Sequence, residues 1–337
     1  MDPREWIRMR QGPEFDRIRA FARAVGSTDA DIRTVVPPGD DAVAFRLPEG
    51  TSVVLGTDLA VEDVHFRRAW LRWEAVGYRS TAAALSDLAA MGADAVGVLV
   101  TLALPPELET PVYESIGSGV GECIRAAGAA LLGGDLAQSP GPVVIDVVAI
   151  GTAEEPISRG GARPGDELWV TGALGAAATA VADWQAALEP DPRARRAFER
   201  PTARLREARW LAEELGVSAM IDVSDGLAGD AAHIAAASRV ALDVDTAAIP
   251  VAELLAHYAN RDLALNRALG GGEDYELLFT VPAGRGADRA GEFENKFGVP
   301  ITRIGRVREG EGVRWLGEDG SPRPLEVRGF DHFGPQG

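Results

Sequence analysis

The alternation of apolar and polar positions changes period repeatedly along this chain, and those changes predict its elements. Phe15, Ile18, Phe21, Ala22 and Val25 recur at helical spacing, which predicts an amphipathic helix over 14–25 closed by Gly26-Ser27. Two short strands follow, 41–47 and 52–58, separated by Pro48-Glu49-Gly50 and so expected to form a hairpin or meander. A long Ala-rich helix is predicted over 73–91, with Val76, Ala83, Ala84, Leu88 and Met91 for its buried face. The apolar run 97–104, stopped by Pro105-Pro106, reads as a buried strand. Ile116, Val120, Ile124 and Ala127 keep helical spacing over 113–127 despite Gly117, Gly119 and Gly121, so that Gly-x-Gly-x-Gly run is read as helix and not as a nucleotide loop. Residues 129–132 lead into Gly133-Gly134-Asp135, and 143–150 form another strand.

Composition shifts toward Pro and Gly between 151 and 165, which marks a boundary between a first domain, 1–150, and a second, 151–337. In the second, strands are predicted at 167–172, 219–223, 240–244, 276–281 and 301–307. Helices are expected near 175–188, 203–215, 227–237, 251–257, 263–269 and 287–297, with 191–200 a charged surface connection. Strands and helices mix in both halves, so the fold class is α+β or α/β in two domains.

Composition narrows the partners. A chain of 337 residues with net charge -17 is a poor fit to nucleic acid or an anionic membrane surface. Any phosphate it binds needs cations as a bridge. Cys123 is the single cysteine, which leaves no intrachain disulfide or Cys-rich zinc site and fits a reducing cytoplasm. No basic-then-apolar leader or membrane-length apolar run is expected. Lys296 is the single lysine and lacks the setting of a Walker loop, so a lysine-dependent P-loop is excluded. The histidines lack metalloprotease spacing, and no Gly-x-Ser-x-Gly elbow is present.

Candidate chemistry lies in acids at element ends: Gly39-Asp40-Asp41, Thr57-Asp58, Ser86-Asp87, Gly133-Gly134-Asp135, Asp222-Val223-Ser224-Asp225 and Gly272-Glu273-Asp274. Strand alternation points neighbours to opposite faces, so Asp40 and Asp41 cannot both face one ligand. Asp41, Asp58, Asp87 and Asp135 share one domain and offer the oxygen donors that magnesium takes beside phosphates. Phosphoryl transfer needs metals and positioning rather than a protein nucleophile, and a chain with one Cys and one Lys suits it. The strand–acid–helix order at 219–227 points a helix N-terminus at an anionic ligand.

Taken in order, these motifs resemble the thiamine-monophosphate kinase family, of the superfamily that includes aminoimidazole ribonucleotide synthetase. The matching residues are Gly39-Asp40-Asp41-Ala42-Val43, Thr57-Asp58, Val61-Glu62-Asp63-Val64-His65-Phe66, Leu85-Ser86-Asp87, Gly133-Gly134-Asp135, the 159–166 segment, Ile221-Asp222-Val223-Ser224-Asp225-Gly226, Gly271-Gly272-Glu273-Asp274-Tyr275-Glu276 and Gly329-Phe330-Asp331-His332-Phe333. The resemblance implies transfer of the ATP γ-phosphate to thiamine monophosphate. It also implies an aminoimidazole ribonucleotide synthetase-like fold in a homodimer whose N-terminal strands form a shared β-barrel. Asp41, Thr57, Asp58, Asp87, Asp135, Asp222 and Asp225 would hold several Mg2+ ions. Gly134, Arg159 and Ser224 would contact ATP, and His65, Glu273 and Phe330 the thiamine phosphate. The chain departs from the family pattern at Gly56, where Ser is frequent, at Asp63, where Gly is usual, at Ala84, and at Leu136-Ala137-Gln138. Alternatives are another ATP-using relative or a nucleotide- or metal-binding protein without turnover.

Overall fold

The computed structural model describes residues 13–26, 33–36, 44–257 and 261–323. The chain divides into two compact units, 1–88 with 93–155, and 89–92 with 156–337.

In the first unit, α1 (Pro13–Val25), α2 (Trp73–Ala90) and α3 (Thr110–Ala127) accompany a four-stranded sheet. Its strands are β3 (Ser52–Val61), β4 (Asp94–Leu104), β5 (Ala130–Gln138) and β6 (Val144–Ala153), in the order β3-β6-β4-β5. Only β4 and β5 run parallel, and α3 is the crossover between them. Alternation sorts the sheet's two faces. Val98, Val100, Leu102, Ile145, Val147 and Ala149 are buried, whereas Val53, Leu55 and Leu59 on the other face of β3 are 50%, 65% and 49% exposed.

The glycines of α3 explain a helix that propensity alone disfavours. A Cβ at Gly119 would fall on the carbonyl oxygen of Glu74 in α2, and one at Gly121 on that of Val25 in α1. Gly77 of α2 meets Ile116 of α3 in the same way. The Gly-x-Gly-x-Gly run is therefore a close-packing surface that seats α3 against two helices at once.

Two expectations are corrected here. The strand β2 (Ala44–Arg46) pairs not with β3 but with β1 (Arg33–Val36), in a separate two-stranded sheet. β3 instead pairs over its ten residues with β6, a longer ladder than any hairpin with β2 could supply. β5 also runs straight through Gly133-Gly134-Asp135, because Gly134 lets the strand approach the Val100 carbonyl where a Cβ would collide.

The second unit is a six-stranded sheet in the order β12-β9-β11-β7-β10-β8, built from β7 (Glu167–Thr171), β8 (Ala219–Asp222), β9 (Ala241–Asp245), β10 (Leu277–Val281), β11 (Ile301–Arg308) and β12 (Gly312–Leu316). Its core joins Leu168, Val170, Ile221, Leu242, Val244, Leu278, Ile304 and Val307 to Leu227, Ala231 and Ile234 of α7 (Leu227–Ser238) and Leu265, Ala268 and Leu269 of α8 (Arg261–Gly270). α4 (Ala176–Gln185) packs on α5 (Pro192–Glu199), through Trp184 edge-on to Phe198. α5 replaces the expected surface connection: Asp191 caps it by accepting the Arg193 N–H, and Ala194 and Phe198 bury one narrow face. α6 (Leu205–Trp210) continues as a π-helical turn, Leu211–Leu215. With α9 (Arg285–Phe297) it builds the Trp210–Phe293–Phe297 aromatic cluster. Among the described residues no helix is long and apolar enough to cross a membrane.

Candidate functional site

In the first unit, β3 carries Thr57 and Asp58 to opposite faces of the sheet. Asp58 shares its face with Val54, Gly56 and Ala60, and Gly56 looks onto Asp87 of α2, whose Oδ2 lies 3.0 Å from where a Gly56 Cβ would stand. Gly56 thus leaves room for the Asp87 carboxylate against the strand, and a Ser there would press on it. Thr57 lies on the other face, where its hydroxyl donates to Asp146 Oδ1 at 2.7 Å. Asp146 stands opposite Thr101 on β4, and Thr101 opposite Asp135 on β5, so the two acids flank one threonine at the same level of the sheet. Asp135 is exposed and its Oδ1 accepts the Leu136 N–H. The structure thus brings Asp58 and Asp87 toward one face and engages Thr57 with Asp146, an acid within the 143–150 strand that the sequence reading did not single out.

After β3 the chain closes a tight loop. Asp63 has φ 65°, the left-handed region where Gly is at home and Asp is among the tolerated exceptions, which accounts for Asp in place of the usual Gly. Its N–H donates to Phe66 O at 2.7 Å, and the His65 carbonyl accepts from Arg79 Nη1 at 2.9 Å. His65 Nδ1 accepts the Val61 N–H at 3.0 Å, which places the proton of a neutral ring on Nε2. The buried Glu62 closes the loop from below, accepting the Val143 N–H at 3.0 Å and pairing with Arg68.

In the second unit two segments lie side by side. The connection from β8 to α7 carries Asp222, Ser224 and Asp225, and the segment entering β10 carries Gly272 to Glu276. Backbone bonds join them: Glu273 N–H to Ser224 O at 2.8 Å, Tyr275 N–H to Val223 O at 2.9 Å and Val223 N–H to Glu276 O at 2.7 Å. Asp222, Ser224, Asp225 and Glu273 are thereby assembled in one place. Glu273 and Tyr275 have φ 64° and 51°, costing roughly 1–3 kcal/mol each, and the Tyr275 hydroxyl donates to Glu273 Oε2 at 2.9 Å. Beneath the segment, the buried Glu276 receives Arg204 through both carboxylate oxygens, at 2.5 and 2.9 Å, and the Thr171 hydroxyl at 2.5 Å.

Asp230, one turn into α7, is 2% exposed, and its Oδ2 accepts the Ser224 and Asp225 N–H groups at 3.1 and 3.3 Å. Burial, then the charges of Asp222 and Asp225, push its carboxyl up to about 8. Ligand atoms of Asp225, Asp230 and the exposed His233 lie within 4.8 Å of one another. Carboxylates crowded around Asp230 are a donor set that a hard cation would relieve. Asp230 was not legible as a site residue because an acid in a first helical turn is ordinary dipole chemistry. The raised value makes a prediction for protein kept free of metal with chelator. The folded carboxyl holds its proton far above the unfolded value of 3.8, so this contribution is full at low pH and is lost as pH climbs through about 8. From about pH 5 to pH 8 the unfolding free energy should fall by more than that of Asp230→Asn, a difference on the order of a few kcal/mol that lowers the melting temperature in step. Parallel curves for the two proteins would remove this group from the pH dependence.

Arg159 stands apart from this cluster. Its carbonyl accepts from Ser238 Oγ at 3.0 Å at the C-terminal end of α7, whereas Ser224 and Asp225 precede the N-terminal end. The helix between them is roughly 18 Å long. Asp41 and Phe330 lie outside the described residues.

Comparison with known families returns two domain models, one for each half of the chain. Residues 39–153 match the AIR synthase related protein N-terminal domain, and residues 163–316 its C-terminal domain. The thiamine-monophosphate kinase of Salmonella typhimurium is 34% identical over 328 residues, 95% of this chain and 98% of that protein. The crystal structure of the thiamine-monophosphate kinase from Stenotrophomonas maltophilia K279a superposes with a TM-score of 0.79 at 34% identity, over 92% of this chain and 96% of that one. AaThiL, solved in complex with AMPPCP and TMP, gives 0.74 at 30% identity over 96% and 99%. Within the AIR synthase related proteins, this chain belongs to the thiamine-monophosphate kinase family.

Proposed function

We propose that the chain transfers the γ-phosphate of ATP to thiamine monophosphate, giving thiamine diphosphate and ADP. The observation that carries this is the pairing of the Asp222-Ser224-Asp225 segment with the Glu273 segment in one backbone-bonded site. It puts acids suited to a metal–nucleotide complex beside a carboxylate suited to the cationic acceptor, in a chain whose relatives carry that name. A terminal oxygen of the acceptor phosphate attacks the γ-phosphorus in line, the bond from that phosphorus to the bridging oxygen breaks, and ADP leaves. No protein nucleophile is required.

The donor chemistry fits Mg2+ ions, with Asp58 and Asp87 as donors on one face of the first unit's sheet, Thr57 and Asp135 as donors on the other, Asp222 and Asp225 as donors of the second unit, and Asp41 as a further ligand. Bound there, Mg2+ would neutralise phosphate charge. The chain's own groups bind and orient. Asp230 fixes the amides of Ser224 and Asp225, so that Ser224 meets the nucleotide in a set geometry. Gly134 and Arg159 contribute to ATP binding, Arg159 at a part of the nucleotide remote from Ser224. His65 offers its Nε2 proton to the acceptor phosphate, and Glu273 with Phe330 holds the thiamine portion.

The apolar outer face of the four-stranded sheet, with Val53, Leu55 and Leu59 exposed, supports a homodimer in which two such sheets close into a barrel. A cytoplasmic location fits a chain with a single cysteine, which is buried. Incubating the protein with ATP, magnesium and thiamine monophosphate should yield thiamine diphosphate and ADP in equal amounts. Absence of both at high enzyme concentration would overturn the assignment.

A further inference from the structure

We infer that Asp274 is a positioning residue that sets the direction of Glu273 by anchoring the strained segment to the N-terminus of α4. Both of its carboxylate oxygens lie within hydrogen-bond reach of the Gly175 N–H, at 3.0 and 2.9 Å. That amide precedes a ten-residue helix whose own N-cap, Gly175, supplies no side-chain acceptor. Asp274 therefore does from a distance in sequence what an N-cap does locally, its carboxyl oxygens seated at the amide end of the helix.

The conformation around it shows why that anchor matters. Gly272, Glu273 and Tyr275 all have positive φ, at 64°, 64° and 51°, and two of them are side-chain residues that resist it. A Cβ at Gly272 would fall on Ser224 O, so the segment already lies against the Ser224 connection and cannot move toward it. Its backbone is bonded on that side through Glu273 N–H and Tyr275 N–H. Asp274 points the other way, to α4, and so fixes the rotation of the peptides on either side of it. Without that tie, only the two backbone bonds to Ser224 and Val223 oppose a return of Glu273 and Tyr275 to negative φ, which would swing the Glu273 carboxylate and break its bond from the Tyr275 hydroxyl. With both oxygens on Gly175, Asp274 acts through Glu273 and not as a contact of its own.

The inference rests on Glu273 holding the thiamine phosphate, and the test separates the two. Steady-state kinetics of Glu273→Ala, Asp274→Ala and the double variant form a cycle. Asp274→Ala is expected to raise KM for thiamine monophosphate about tenfold and KM for ATP less than about twofold, with the double variant no worse than Glu273→Ala alone. Asp274→Asn keeps an acceptor for the Gly175 N–H and should restore KM to within about threefold of wild type. Additive effects, or equal losses for both substrates, would overturn the positioning role. An unchanged KM in Glu273→Ala would overturn it too, and that single variant would show that the reading of Glu273 had failed. If Asp274→Ala does not fold, the cycle is run with Asp274→Asn, where a tenfold rise in KM that adds to Glu273→Ala overturns the proposal.

Discussion

Asp87→Asn is expected to lower turnover on the order of 100-fold while leaving the melting temperature within about 2 °C of wild type. The amide keeps the size of the carboxylate and removes its charge. Asp87 reaches β3 beside Gly56 on the face that also carries Asp58, and no large side chain at 56 holds it back. In phosphoryl transfer nearly all catalysis comes from placing metal charge against phosphate oxygens, so removing one donor from that cluster costs rate and not fold. The magnesium concentration for half-maximal rate should rise in parallel. Near-normal turnover at ordinary magnesium would mean that Asp87 is not part of the metal site.

The largest effect on stability should come from Gly119→Ala. The new methyl group would occupy the position of a backbone carbonyl oxygen in α2, so α2 and α3 must separate, and α3 is also seated on α1 through Gly117 and Gly121. Overpacking of one methylene in a well-filled core costs about 1–3 kcal/mol, and a backbone collision with no flexible side chain to yield lies at or beyond the upper end. A melting temperature lower by roughly 10 °C, or loss of soluble protein, is the expected reading. Gly291→Ala in α9 is the control: a Cβ there meets nothing within 4 Å, so removing a helical glycine should stabilise by up to about 1 kcal/mol. A Gly119→Ala protein that melts with wild type would show that the helices can part freely.

The long amphipathic and apolar runs were legible because one interaction, burial of a periodic face, decides them. α2, α3, β4 and β10 are of that kind. α5 was not, since Pro-Arg-Ala-Arg-Arg-Ala-Phe-Glu reads as a solvated connection until Phe198 finds Trp184. β12 is a five-residue edge strand whose partner β9 lies about 70 residues earlier, and no local pattern announces that pairing. The pairing of β2 was misread for the same reason: a short turn suggested β3, whereas the longer ladder with β6 decided it. Among the candidate site residues, motif order points to Asp58, Asp87, Asp222, Asp225 and Glu273. Asp146 and Asp230 escaped it, because one lies inside an apolar strand and the other inside a helical turn. Their roles arise only once distant backbone amides and hydroxyls are brought to them.

The opposed faces of Thr57 and Asp58 bear on how this chain tolerates insertion and deletion. An odd-numbered change of length within β3 ahead of these residues would exchange their sides, turning the acid away from α2 and presenting a hydroxyl in its place, while leaving the strand's composition almost intact. An even-numbered change would keep each on its own side. Among natural or engineered length variants of this segment, retention of activity should therefore follow parity and not the number of residues gained or lost.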